Sequence, residues 1–127
     1  MFKYTATYVD YNGDERTEDF YFNLTKAELM EMNLRKAGGF ESWINRIIKA
    51  NDQETLVDTF KQIVLASYGE KDETGRRFVK SEALSKAFSE TEAYSDLFMK
   101  LVTDADFASE FCTKICPAVE QRPALTD

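Results

Sequence analysis

The chain has 127 residues, of which 43% are apolar and 31% charged, and its formal net charge is -7 at pH 7. Its length and apolar content exclude an intrinsically disordered chain and suit one compact domain with its own core. The acidic balance argues against nucleic acid and membrane surfaces as partners, because it repels phosphate backbones and anionic lipids.

Residues 2–24 predict a β-hairpin, in which apolar and polar residues alternate on both sides of Asn12-Gly13. A two-residue turn there would split the aromatic side chains between the two faces. A three-residue loop, with Gly13 in a left-handed bulge, instead pairs Asp10 with Asp14 and gives one continuous aromatic face, so we predict this register. The pairs that share the aromatic face are Phe2 with Phe22 and Tyr4 with Phe20.

Residues 25–117 predict about six short helices, because apolar residues recur there at helical spacing between capping signals. We expect Gly38-Gly39 to break the chain, Gly69 to end the third helix and Pro117 to end the last. The expected N-terminal caps are Thr25 with Glu28, Asn51-Asp52, Ser81, Ser89 with Glu92, and Thr103 with Asp106.

The stretch from Lys71 to Glu82 places acidic residues before Gly75, as a calcium loop does. With Gly75 at position 6 of such a loop, Ser81 stands at position 12, where the ion needs a bidentate glutamate. Arg77 also brings positive charge to the site. We therefore interpret the stretch as a solvated linker with a Thr-Gly turn.

Catalytic and metal chemistry have little support in this sequence. Histidine is absent, which removes the commonest general base and transition-metal ligand. Cys112 and Cys116 lie one helical turn apart, which is no disulfide framework and fits a reducing cytoplasm. There is no signal-peptide pattern and no apolar run of roughly 18 residues. We predict no catalytic residue, no metal and no cofactor.

The predicted fold class is α+β: an N-terminal β-hairpin followed by a bundle of about six short α-helices. We expect residues 1–117 to form a single domain, with the hairpin at 2–24 and the helices at 25–117, and residues 118–127 to form a flexible tail. No third strand is evident, so the two edges of the hairpin are expected either to be guarded by Lys3, Arg16 and Glu18 or to accept a partner strand. We therefore also predict weak self-association into a homo-oligomer.

Two groups of residues are candidates for contact with a partner protein. Tyrosine is enriched at interfaces because it combines a large contact area with a low entropy cost, and four tyrosines lie in the hairpin. One basic cluster lies in the otherwise acidic chain, where it can pair internally or contact an acidic partner. The candidates are Tyr4, Tyr8, Tyr11, Tyr21, Arg76, Arg77 and Lys80.

Several stretches of the chain resemble small proteins of long-tailed (siphovirus-type) bacteriophages, namely the tail assembly chaperones encoded beside the tape-measure protein. The resemblance runs from about Tyr4 to Pro117. It lies in Tyr8-Val-Asp-Tyr-Asn-Gly13, Phe20-Tyr-Phe-Asn-Leu-Thr-Lys-Ala-Glu-Leu-Met-Glu-Met32, Ser67-Tyr-Gly-Glu-Lys71, Gly75-Arg-Arg-Phe-Val-Lys-Ser81 and Phe88-Ser-Glu-Thr-Glu-Ala-Tyr-Ser-Asp-Leu-Phe-Met99.

The resemblance implies a protein of the bacterial host cytoplasm that coats the tape-measure protein and helps recruit tail-tube subunits. It implies no catalytic residue and no cofactor, and a longer product made by ribosomal frameshifting is common in the family. Helical clients would bind in apolar grooves between the helices. The alternative is a small acidic phage protein that regulates or inhibits a host protein by binding it.

Overall fold

The computed structural model describes residues 1–33, 39–50 and 52–116. The predicted tail at 118–127, and the signals at Gly38, Asn51 and Pro117, lie outside these residues. The α+β class is confirmed. The elements are β1 (Phe2–Val9), β2 (Glu15–Phe22), α1 (Lys26–Asn33), α2 (Gly39–Ala50), α3 (Gln53–Ser67), β3 (Tyr68–Lys71), β4 (Phe78–Val79), α4 (Glu82–Ser89), α5 (Glu92–Thr103) and α6 (Ala105–Ile115).

The predicted hairpin register is confirmed. Phe2 pairs with Phe22, and Gly13 has a φ angle of 88°, the left-handed conformation that the bulge requires. The Asp10 N–H donates to the Asp14 carbonyl oxygen at 2.8 Å, and the Gly13 N–H donates to the Asp10 carbonyl oxygen at 3.0 Å. The aromatic residues of both strands therefore share the face that the helices cover.

The prediction that no third strand joins the hairpin is wrong. The sheet has four strands in the order β1-β2-β3-β4, and β3 pairs with β2 at Tyr21↔Gly69 and Phe22↔Tyr68. Gly69 therefore does not end α3 as a capping glycine. Helix α3 instead ends two residues earlier, at Ser67. The Ser67 carbonyl oxygen accepts a hydrogen bond from the Asn23 N–H at 2.8 Å.

The stretch from Lys71 to Glu82 contains a second hairpin, where a linker was predicted. Lys71 pairs with Phe78, and Glu70 pairs with Val79. The predicted turn is confirmed, since Gly75 has a φ angle of 77° and its N–H donates to the Asp72 carbonyl oxygen at 3.1 Å. The turn thus reverses the chain between β3 and β4.

Three helix starts agree with the predicted caps. Thr25 and Glu28 form a reciprocal capping box, with hydrogen bonds of 2.8 and 3.1 Å. The side chain of Asp52 accepts from the Thr55 N–H at the start of α3, and Ser81 accepts from the Leu84 N–H at the start of α4.

The two other predicted caps are wrong. Ser89 and Thr103 are the last residues of α4 and α5, and their hydroxyls donate to carbonyls of the preceding turn. The N-cap of α5 is Thr91 and that of α6 is Asp104. Both predictions failed because serine and threonine can bond backward to a carbonyl as readily as they cap a following helix.

The core lies between the aromatic face of the sheet and the helices. Phe22 is fully buried, and its ring centre lies 5.4 Å from that of Phe111 and 5.7 Å from that of Phe88. Phe88 stacks on Tyr68 at 4.4 Å, which places α4 directly over β3. These contacts hold α4 beside α3 and over the third strand, and a surface cleft adjoins α3 and another adjoins the third strand.

Candidate protein-binding surfaces

The four candidate tyrosines do not form one surface. Tyr4 is half-buried against Phe107, with 6.2 Å between ring centres, and its burial, together with the Asp96 carboxylate, raises its pKa. The Tyr8 hydroxyl donates to Glu18 at 2.5 Å. Tyr11, at the hairpin tip, is 75% exposed.

Tyr21 lies on the opposite face of the sheet from Tyr4 and Tyr8. Its ring is covered by the side chain of Lys71, whose Nζ is 4.4 Å from the ring centre. Tyr11 reaches from the turn to α5, where its hydroxyl donates to Glu92 Oε2 at 2.9 Å. Of the four side chains, that of Tyr11 offers the most accessible area for a partner.

The basic cluster is also divided. Lys80 is half-buried, and its Nζ donates to both carboxylate oxygens of Glu28 at 2.9 and 2.8 Å. Arg76 and Arg77 are exposed in the turn between β3 and β4, and neither guanidinium forms an ion pair with any other residue that the structure describes. Lys80 therefore stabilises the fold, whereas Arg76 and Arg77 are available at the surface.

The first large cleft, which we name the α3–α4 groove, runs between these two helices. It is an open groove of about 560 Å³. Leu65 and Ala66 form the α3 side, and the Ser85 hydroxyl of α4 donates to the Leu65 carbonyl oxygen at 2.8 Å. The other lining residues are Lys80, Ser81, Glu82, Lys86 and Ser89.

The serines of the α3–α4 groove present little free polarity to a ligand. Ser81 accepts from the Leu84 N–H at 3.0 Å, and Ser89 donates to the Lys86 carbonyl oxygen at 2.7 Å. The Ser85 hydroxyl donates to the Leu65 carbonyl oxygen, so the hydroxyls of all three serines form hydrogen bonds with the backbone. The groove is open and mainly apolar, with charged side chains at its rim.

The second large cleft lies where β2 and β3 diverge, and we name it the β2–β3 notch. Its volume is about 600 Å³. The ladder between these strands stops at Tyr21↔Gly69, because β3 turns away to pair with β4. The residues that line the notch are Glu18, Asp19, Phe20, Tyr21, Tyr68, Gly69, Glu70 and Lys71.

Backbone groups of β2 are open at this notch. Hydrogen-bonded pairs alternate along an antiparallel ladder, and counting from Asp10 and Asp14 makes Tyr8↔Arg16 the next such pair. The backbone groups of Thr17 and Asp19 therefore point away from β1. On this outward side of β2, no strand among the described residues forms hydrogen bonds with Thr17 or Asp19.

The notch carries more negative than positive charge. Three of its lining residues are acidic, Glu18, Asp19 and Glu70, against one lysine. Two of these carboxylates act on Tyr68. Its pKa is raised to about 12, mainly by burial and then by the charge of Glu70, the hydrogen bond to Glu70 and the charge of Glu18. The phenol donates to Glu70 at 3.4 Å.

The described parts of the chain show no arrangement for metal binding or membrane insertion. No group of three or more cysteine, aspartate or glutamate side chains among them is placed to hold a metal ion. Likewise, none of the helices within those residues has the length and apolar character that crossing a bilayer requires.

The described residues form an acidic α+β fold whose surface carries a groove, a notch in a sheet and an exposed basic turn. The chain belongs to a family of phage tail assembly chaperones, whose family model matches residues 1–126. Searches of curated proteins and of solved structures found no match. The resemblance seen in the sequence is thereby confirmed.

Of the residues that line the two clefts, sequence reasoning had singled out Lys80 in the groove and Tyr21 in the notch as candidate contacts and missed the others. Ala66 and Ser85 carry no pattern of their own, because the α3–α4 groove depends on the angle between two helices. Glu70 lies within the stretch that carried the family resemblance, but its position beside an open strand edge depends on β3, which was not predicted.

Proposed function

We propose that this protein binds the phage tape-measure protein and helps recruit tail-tube subunits during tail assembly, in the cytoplasm of the bacterial host. The observation that carries this proposal is the family match over nearly the whole chain. In this proposal the protein acts by binding alone, without catalysis. The tail-tube subunits and the tape-measure protein are its partners.

The α3–α4 groove supports this proposal as the site for a client helix. Amphipathic helices dock with their apolar face in such grooves, and the small side chains of Ala66 and Ser85 allow close approach of a helix backbone. Lys86 and Glu82 at the rim supply charges that can pair with the polar flanks of the client. Arg76 and Arg77 offer a separate contact for an acidic partner.

Co-expression with the tape-measure protein of the same phage tests the proposal. We expect the soluble fraction of the tape-measure protein to rise when the chaperone is present. Ala66→Glu, which places a charge in the groove, should reduce this effect. Ala87→Glu is the matched control, because Ala87 is an exposed alanine of α4 that does not line the groove.

Recruitment of tail-tube subunits needs a separate measurement. Immobilised tape-measure protein should retain more tube subunits with the chaperone bound than without it. Equal retention would remove this part of the proposal. If the chaperone also leaves the solubility of the tape-measure protein unchanged, the alternative of an acidic regulator of a host protein becomes the better explanation.

A further inference from the structure

We propose that the β2–β3 notch binds an extended peptide segment carrying lysine or arginine at alternate positions, which adds to the sheet along the open part of β2. This inference goes beyond the proposed function, because it concerns a second surface and a different client conformation from the α3–α4 groove.

The backbone of β2 specifies an extended occupant. The N–H and C=O groups of Thr17 and Asp19 point outward, and a strand satisfies such groups by continuing the ladder. Because β3 covers β2 at Tyr21 and Phe22 and then leaves it, the open part of the edge begins at Asp19, the next residue of β2 whose backbone groups point outward.

The side chains of the notch specify the charge of the occupant. Glu18 and Glu70 project on the helix-covered face, on the same side as Phe20 and Tyr68. Every second side chain of an added strand would point to this face, where a lysine meets carboxylates and aromatic rings. Glu18 already accepts hydrogen bonds from Tyr8 and Arg16, whereas Glu70 pairs with no cation among the described residues.

A second copy of this chain is a less favourable occupant of the same edge. If two copies of β2 paired antiparallel about Thr17, Glu15 of each copy would lie opposite Asp19 of the other, and Arg16 of each would lie opposite Glu18 of the other. The first pairs repel and the second attract, so the two offset each other. A segment with lysine or arginine at alternate positions meets the carboxylates without this repulsion, and charge therefore favours it.

The test uses the full chain and two synthetic seven-residue peptides, one alternating threonine with lysine and the other threonine with glutamate. We expect the lysine peptide to bind, to shift the amide resonances of Thr17 and Asp19, and to slow their hydrogen exchange. Glu70→Lys should weaken binding about tenfold or more. Glu73→Lys is the matched control, since Glu73 lies in the adjacent turn outside the notch, and it should change affinity less than about twofold.

Three results would overturn the inference. The first is equal binding of the glutamate peptide, and the second is an equal effect of Glu70→Lys and Glu73→Lys in variants whose spectra show the native fold. The third is a dimer of the wild-type chain in sedimentation that Glu70→Lys disrupts, because a second copy would then cover the notch. None of these results involves the α3–α4 groove, so each leaves the proposed function standing.

Discussion

Lys80 and Glu28 form a half-buried ion pair between residues that lie 52 positions apart in the chain. The same ammonium also donates to the Asn23 carbonyl oxygen at 2.6 Å. Lys80 follows β4, Asn23 follows β2, and Glu28 belongs to the first turn of α1. The three bonds of one side chain therefore join the edge of the sheet to the start of the first helix.

Replacement of Lys80 should destabilise the protein far more than replacement of an exposed lysine. Lys80→Met keeps most of the aliphatic stem but leaves Glu28 and the Asn23 carbonyl without their donor, and we expect a loss of about 1–3 kcal/mol in the free energy of unfolding. Lys86→Met, which removes the exposed pair with Glu90, should cost less than about 0.5 kcal/mol. Urea denaturation of the two variants measures both values, and similar losses would contradict the prediction.

The contribution of this ion pair should disappear in acid. Burial of the Glu28 carboxyl acts to raise its pKa, but the hydrogen bonds from Lys80 and from the Thr25 N–H outweigh burial and hold the pKa below its ordinary value of 4.5. A carboxyl whose pKa is depressed by folding stabilises the protein above its unfolded pKa, and this stability is lost as the pH falls through the folded pKa.

The measurement is the difference in unfolding free energy between the wild type and Lys80→Met as a function of pH. We expect a constant difference near neutral pH that shrinks below pH 4.5. The Lys86→Met variant serves as the control and should show little difference at any pH. A Lys80→Met difference that persists unchanged in strong acid would show that the carboxylate of Glu28 is not responsible.

Local patterns in the sequence were sufficient for the hairpin and for most helices. The alternation of aromatic residues on both sides of Gly13 allows one register that keeps them on a common face, and the structure has that register. Capping by Thr25, Asp52 and Ser81 was predictable because each contact spans three residues. Ser89 and Thr103 misled because their hydroxyls had two local partners available.

The third and fourth strands were not predictable in the same way. β3 has four residues and β4 has two, which is too short for an alternating pattern. Tyr68 is held by its stacking on Phe88 and by pairing with Phe22, both distant in the chain. Such tertiary contacts also create the β2–β3 notch and the α3–α4 groove, so neither cleft could be read from local sequence.

Gly69 and Gly75 should respond differently to replacement by alanine. A Cβ atom on Gly69 would lie 2.7 Å from Phe78 Cε2 and 2.8 Å from the Val79 carbonyl oxygen, so Gly69→Ala must displace β4. We expect it to cost about 1–3 kcal/mol through overpacking.

Gly75 has open space around it but a positive φ angle of 77°. Gly75→Ala should cost about 1 kcal/mol, and Gly75→Asn should cost less, because asparagine tolerates this conformation better. Thermal unfolding of the three variants tests both statements. A harmless Gly69→Ala would contradict the steric explanation for Gly69. A Gly75→Asn variant as damaging as Gly75→Ala would contradict the explanation from the φ angle of Gly75.

Phe88 anchors α4, which forms one wall of the α3–α4 groove, and its ring also packs against Phe20 and Tyr68, which line the β2–β3 notch. It is the one buried side chain of α4, all of whose residues the structure describes. Its ring contacts Phe20 at 5.0 Å and Tyr94 at 5.6 Å, in addition to Tyr68. Loss of this ring should therefore release α4 before the rest of the fold.

We expect Phe88→Ala to lower the free energy of unfolding by about 3–5 kcal/mol and to accelerate amide hydrogen exchange across α4. Phe98→Ala removes a half-buried ring that stacks on Tyr94, and it should cost less and leave exchange in α4 unchanged. Phe88→Leu should retain part of the packing and give an intermediate loss. If exchange in α4 is unaffected by Phe88→Ala in a variant that remains folded, other contacts must hold this helix in place, and the geometry of both clefts would then depend on α3 and β3 instead.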